Sequence, residues 1–292
     1  MRPSSPLGRA IRMSGPWVVS SPTDLSPGDH VCWPFHDHED LVAGARAYLA
    51  EGLDQDERVA YVSDRPPREL RHELDGVPDL DEHLDRGGLL LVPFDALPAT
   101  SPSVRPSAEL PVLAAMSAEA LEVGYRGLRM FANGSVRAQD PAQRAEQVRY
   151  EHLLDRFCLA HPVTMLCAYD SGLLGDAAVA ELACVHRLAR GEWSSFHLSA
   201  ATHADVALAG AVDTLSAAYL VTAMERIGVP APGEVLRLDT SGLEFIDHRA
   251  LLALDQYAAR RRAVVVLQSA PSIVQRLMKL VPLRALRWEE TP

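Results

Sequence analysis

The sequence predicts an α/β fold in which a parallel sheet is covered by helices and is followed by a second, smaller α/β unit. Three observations carry this reading. From residue 29 onward, short and nearly continuous apolar runs alternate with amphipathic stretches, as expected for strands buried on both faces and joined by helical crossovers. The chain has 292 residues, more than the roughly 100–200 of one ordinary domain. The pattern breaks at 191–195, a polar stretch with a single Trp193, and an apolar run restarts near residue 205.

In chain order, residues 1–24 scatter Pro, Ser and Gly without period and predict a mobile leader. Strands are expected at 30–35, 58–63, 89–94, 128–132 and 163–169. Between them, Leu41, Ala45, Tyr48, Leu49 and Leu53 fall on one helical face, and Leu110, Leu113, Ser117 and Leu121 on another. Two more helices are expected at 144–159 and 176–190, the second packing through Val179, Leu182, Ala183 and His186. This order divides the chain into a first domain over 25–190, a linker over 191–203 and a second domain over 204–292. In the second domain, strands at 206–210, 235–238 and 263–267 alternate with helices at 214–227, 249–261 and 272–280. Leu215, Tyr219, Ala223 and Ile227, spaced by four, form the stripe that the first of these helices should bury.

With 48% hydrophobic and 23% charged residues the composition is that of a globular protein. The net charge of −11 argues against nucleic acid or an anionic membrane as the main partner. Lys279 is the only lysine, so the first 278 residues hold none for a phosphate loop or a Schiff base. Cys32, Cys158, Cys167 and Cys184 are few, scattered and without a CxxC pair, which fits a reducing cytoplasm. No apolar run reaches the roughly 18–20 residues of a membrane span and no signal-peptide core is visible, so a cytoplasmic protein is expected.

The run GDHVCWPFHDHEDL (28–41) leads a buried strand into a helix, where a nucleotide-binding fold keeps its phosphate loop. The required glycines and lysine are missing. Asp37, Glu39 and Asp40 put negative charge at the helix entrance, which favours the helix dipole and repels a polyphosphate, so no ATP hydrolysis is expected. The segments GDHVC (28–32), AEGLDQDERVAYVSD (50–64), GYRGLRM (124–130), YEHLLD (150–155), LCAYD (166–170) and VHRL (185–188) resemble the MEDS sensory domain. The resemblance implies a RecA-like or KaiC-like parallel sheet with helices on both faces and no working phosphate loop, in a regulator that senses small hydrocarbon derivatives. At 132–136 the chain has ANGSV in place of the family's Gly-Glu-Met-Ser-Trp run, with Asn133 at the acidic position.

Ligands of open α/β sheets bind at the carboxyl ends of the strands. That rule points to Phe35, His36, Ser63, Asp64, Phe94, Asn133, Tyr169 and Asp170, with Glu151 of YEHLLD, as the lining for an unidentified small molecule. His30, Cys32, Cys167 and His186 invite a metal reading, since a RecA-like strand order makes the first and fifth strands neighbours and brings Cys32 near Cys167. Sulfur and imidazole suit zinc, iron or haem. Cysteine, however, is among the most buried residue types, and His186 lies on the apolar face of its helix. The four are therefore read as core residues, and no metal or cofactor is expected.

In the second half, LRLDTSGLEFIDHRALLALDQYAARR (236–261) runs a buried strand through a loop into a helix capped by Asp247. With LAGAVD (208–213) and VVVLQSAPSIVQRLMKLVPL (264–283), it resembles the STAS domain of bacterial anti-sigma factor antagonists over residues 204–284. The resemblance implies an anti-sigma factor, or a serine kinase of the anti-sigma type, as partner, and a contact surface at Thr240, Ser241, Asp247, His248 and Arg249. In that family a phosphorylated Ser or Thr follows the capping aspartate. Here His248 stands in that place, followed by Arg249 and Ala250, so the usual phosphoswitch is not expected. Thr240 and Ser241 read as turn or structural hydroxyls. The expectation is a signalling protein without enzymatic activity, in which a small-molecule sensor controls a STAS domain. The rival readings act through the N-terminal domain: a metal- or haem-dependent sensor, or an enzyme using Glu151, Asp64 or His36 as acid or base and Cys32 as nucleophile. No Ser/His/Asp, HExxH or paired-carboxylate pattern supports the enzyme.

Overall fold

The computed structural model describes residues 17–96, 104–229 and 233–289. Its first sheet has seven parallel strands: β1 (Val18–Val19), β2 (His30–Phe35), β3 (Arg58–Ser63), β4 (Leu89–Pro93), β5 (Leu128–Asn133), β6 (Val163–Asp170) and β7 (Leu188–Arg190). Their spatial order is β1-β7-β2-β6-β5-β3-β4. β2 and β3 are buried along their whole length, as their central apolar runs require. Successive side chains of β2 alternate between two cores. Val31, Trp33 and Phe35 join Leu41, Ala45, Tyr48 and Leu49 of α1 (His38–Asp54), together with residues of α2 (Pro67–Glu73) and α3 (Leu80–Asp85). Cys32 points the other way, into the core made with α4 (Pro106–Glu122), α5 (Pro141–Ala160) and, beyond the short α6 (Ser171–Leu174), α7 (Asp176–Ala183).

The second sheet is smaller and mixed. β9 (Val206–Val212), β10 (Val235–Asp239), β11 (Leu243–Ile246), β12 (Val264–Gln268) and β13 (Leu286–Glu289) run parallel in the order β11-β9-β10-β12-β13, and β8 (Phe196–Ser199) lies antiparallel to β9. It packs with α8 (Ala217–Ile227), α9 (His248–Arg260) and α10 (Ser272–Met278). The core on the α5 face of the first sheet continues into this half without a break, through Cys158, Leu182, Phe196, Leu198, Leu208 and Leu220.

Several expectations are corrected. Of the expected leader 1–24, residues 1–16 lie outside the described residues, while the remainder is part of the fold. Val18 and Val19 pair with Ala189 and Arg190, because β7 has an edge that needs backbone partners. The helix expected at 176–190 ends at Ala183, and Leu188–Arg190 leaves it to pair with β2, whose buried edge would otherwise lack hydrogen bonds. The stretch expected as linker contains β8, in which Phe196 and Leu198 alternate with His197 and Ser199. α8 starts later than expected and buries Ala217, Leu220, Ala223, Met224 and Ile227, leaving Leu215 and Tyr219 exposed. Leu121, placed on the buried face of α4, is also exposed. Among the described residues, no helix is long and apolar enough to cross a membrane.

Candidate functional site

α5 carries Gln147, Glu151 and Asp155 at a spacing of four, a polar stripe on the face that meets the sheet, and all three are buried. Buried carboxylates are costly unless paired. Here β2 supplies His30, β6 supplies Cys167 and Tyr169, and the turn after α7 supplies His186. His30 Nε2 lies 3.1 Å from Glu151 Oε2, and its Nδ1 faces Asp155 Oδ1 at 3.4 Å. His186 Nε2 approaches the same Glu151 oxygen at 3.3 Å, and the two imidazoles stack with centroids 4.1 Å apart. Cys167 Sγ stands 3.3 Å from Glu151 Oε2 and 3.5 Å from His30 Nε2. Glu151 Oε1 accepts from Gln147 Nε2 at 2.5 Å and from the Tyr169 hydroxyl.

The charges in this cluster follow from burial and pairing. Burial opposes a charge on His30, yet hydrogen bonds to Asp155 and Glu151 outweigh it and push its pKa up to about 9. His186 is lowered by burial and then by the charge on His30. Burial works against ionised Glu151, but the neighbouring imidazoles of His186 and His30 hold it well below the usual carboxylate range. Burial and Glu151 push the Cys167 thiol up, and burial takes His152 down to about 4.

Beside the cluster, at the carboxyl-terminal side of the sheet, lies a cavity of about 40 Å³. A single water needs roughly 10–15 Å³ of such space, so the cavity admits a ligand of only a few heavy atoms. Val62, Met130, Ala132 and Met165 make it apolar, while Glu151, Cys167 and Tyr169 bring the cluster to its wall. Arg137, paired with Glu109 at 2.5 Å and lying 4.6 Å over the Phe94 ring, also lines it. Gly134 of ANGSV is required here, because a Cβ at that position would come within 2.9 Å of the Tyr169 ring.

Of the residues expected to line a ligand site, Phe94, Glu151 and Tyr169 meet at this cavity. The others lie elsewhere. Phe35 packs on the α1 face, and exposed His36 faces the Ser171 hydroxyl at 2.9 Å. Ser63 donates to exposed Asp64, Asn133 accepts from Ser135, and Asp170 caps α6. These six do not line this cavity, because strand ends also carry the caps and turns that launch the next helix. His30, Cys167 and His186 converge, but the fourth member of the donor group is Glu151 and not Cys32. Cys32 is the register partner of Cys167, and burial holds its thiol well above the ordinary range. Gln147, Asp155 and Arg137 were missed. The four-residue spacing of Gln147, Glu151 and Asp155 on a helix facing an apolar sheet is the signal that could have found two of them.

The family model described as MEDS, MEthanogen/methylotroph, DcmR Sensory domain, matches residues 29–187. The chain belongs to the MEDS family. No curated protein matches it. The MEDS match contains every member of the buried cluster, and it gives the protein a sensory, signalling role.

Outside the MEDS domain, Asp247 caps α9 by accepting from Ala250 N at 2.7 Å, and it also accepts from the Thr214 hydroxyl at 2.5 Å. His248 and Arg249 beside it are exposed. His248 borders an apolar groove that includes exposed Phe245, Ile273 and Leu280. Thr240 is fully buried and donates to the Gln268 carbonyl at 2.8 Å, a structural hydroxyl, while Ser241 is exposed.

Proposed function

We infer that the chain is a non-enzymatic signalling protein. Its MEDS domain holds a small hydrocarbon derivative in the cavity beside Glu151 and Tyr169. Its C-terminal half acts as a STAS-like domain that binds an anti-sigma factor or a serine kinase of the anti-sigma type. One observation carries the reading: the buried cluster and the turn beside it are bonded directly to the first strand of the second sheet and the residue that follows it. Asp155 Oδ2 accepts from Ala200 N at 2.5 Å, the Cys184 carbonyl accepts from Leu198 N at 2.6 Å, and His197 Nδ1 lies 3.2 Å from the His186 carbonyl. A ligand that prefers one placement of α5 and the 184–186 turn therefore moves β8 with them. The size of the response is set by its difference in affinity for the two states.

The groove beside His248 supports a protein partner, and the histidine supports binding that phosphorylation does not release. Calorimetry of the full chain with anti-sigma-type kinases of the same genome, with and without ATP, tests this. Binding is expected to persist with ATP, to weaken severalfold in His248→Glu and to become ATP-sensitive in His248→Ser. Release of the wild-type chain on phosphorylation of Ser241, or no binding by any such kinase, would overturn it.

A further inference from the structure

The buried cluster turns four electron-pair donor atoms, from His30, Glu151, Cys167 and His186, toward one point. His186 Nδ1 lies 2.8 Å from the Leu182 carbonyl, which can only accept, so Nδ1 carries that ring's hydrogen. Its Nε2 is fully buried, has no hydrogen-bond partner among the described residues and lies 3.3 Å from an oxygen of Glu151, so that in the neutral ring it presents a lone pair to that oxygen. A single proton on His30 Nε2 satisfies the 3.1 Å contact between His30 and that oxygen but leaves His186 facing it unbridged. In a dry interior two such acceptors repel unless a positive centre lies between them.

We propose that His30 Nε2, Glu151 Oε2, Cys167 Sγ and His186 Nε2 form a tetrahedral site for a divalent transition-metal ion, with zinc as the matching ion. The four ligand atoms lie within 4.8 Å of one another. Zinc bonds of about 2.0–2.1 Å to nitrogen or oxygen and about 2.3 Å to sulfur place neighbouring ligands about 3.3 Å apart, or about 3.6 Å when one is sulfur. The observed separations are 3.1 and 3.3 Å from Glu151 to the two histidines, and 3.3 and 3.5 Å from Cys167 to Glu151 and His30. Two imidazoles, one thiolate and one carboxylate form a donor set of borderline softness that suits zinc over magnesium or calcium. Both histidines also have the outer support that metal ligands require: Asp155 faces His30 Nδ1, and the Leu182 carbonyl orients His186. The apolar cavity reaches Glu151 and Cys167 and supplies the approach. On binding, the ion replaces the proton of His30 Nε2 and that of the Cys167 thiol, and both leave to solvent. The ion's two positive charges then match the carboxylate and the new thiolate. This site does not depend on what the C-terminal groove binds.

The full chain, stripped with chelator and titrated with Co²⁺ as a spectroscopic stand-in for zinc, tests the proposal. One Co²⁺ per chain is expected, with the intense visible bands of a tetrahedral ion and a thiolate-to-cobalt charge-transfer band. Zinc is expected to displace the cobalt and to raise the melting temperature of the apo chain. Cys167→Ser should abolish the charge-transfer band and His186→Ala should weaken binding at least about tenfold, whereas Cys32→Ala should retain one ion and the band. A folded wild-type chain that takes up no Co²⁺ would overturn the site without reference to any variant. So would a charge-transfer band that survives Cys167→Ser or disappears in Cys32→Ala.

Discussion

Arg129 of β5 is fully buried on the α1 face, with oxygens arranged around its guanidinium. Nε donates to Glu57 at 2.5 Å, one terminal nitrogen to Glu51 at 2.6 Å, and the other to the Leu25 carbonyl at 3.1 Å and Gln55 at 3.2 Å. Arg129→Leu removes the cation and leaves Glu57 buried without it, a change that costs about 3–5 kcal/mol. Thermal unfolding should show a melting temperature lower by about 10 °C, and a shift under about 2 °C would mean that water replaces the arginine. At this scale, sequence reasoning reached His30, Cys167 and His186 because sulfur and imidazole are conspicuous donor types, and strand order already placed β2 beside β6. Choosing between Cys32 and Cys167 depended on which of them the Glu151 turn of α5 overlies. That is a property of helix-on-sheet packing and leaves no trace in either cysteine's own neighbourhood.

At the scale of elements, α9 depends on the residue that caps it. Asp247 accepts from Ala250 N and from the Thr214 hydroxyl, so one carboxylate both caps the helix and ties it to the loop before α8. Asp247→Ala should destabilise the chain by about 1 kcal/mol in urea unfolding, and Asp247→Asn, which keeps a capping oxygen, by less. Equal losses in both variants would show that the charge and not the cap matters. The central strands β2, β3, β5 and β6 were legible because six to eight mostly apolar residues leave few alternatives. β7, β8, β11 and β13 span three or four residues each, too few to show a period, and they form because an existing edge needs partners. The stripe of α8 was misread for another reason. Leu215 and Tyr219 have the right spacing but lie on the side that opens into a groove with Trp193, and Leu220 and Met224 are the buried residues.

Across the described residues, an ionic contact joins the two halves at the rim of that groove. Glu181 of α7 accepts from Arg144 of α5 at 2.8 Å and from Arg226 of α8 at 2.7 Å, so its carboxylate links the sensory domain to the C-terminal half. Burial alone would raise its pKa, but Arg226 and Arg144 lower it below the ordinary carboxylate value. A group whose pKa is depressed by folding stabilises the protein fully above its unfolded pKa, and that contribution fades as pH falls through the folded value. With partly exposed partners the contact is worth at most about 1 kcal/mol, or about 2–4 °C in melting temperature. Glu181→Gln should therefore melt a few degrees below wild type near neutral pH, and the gap should close as pH falls below the ordinary carboxylate range and through the lowered pKa of Glu181, where the wild-type carboxylate also becomes protonated. High salt should narrow the gap as well, since the pair is only partly shielded from solvent. A gap that persists unchanged into acid would mean that Glu181 acts through packing. The link between the halves would then rest on the continuous apolar core and on the hydrogen bonds from residues 197–200 to Asp155, Cys184 and His186.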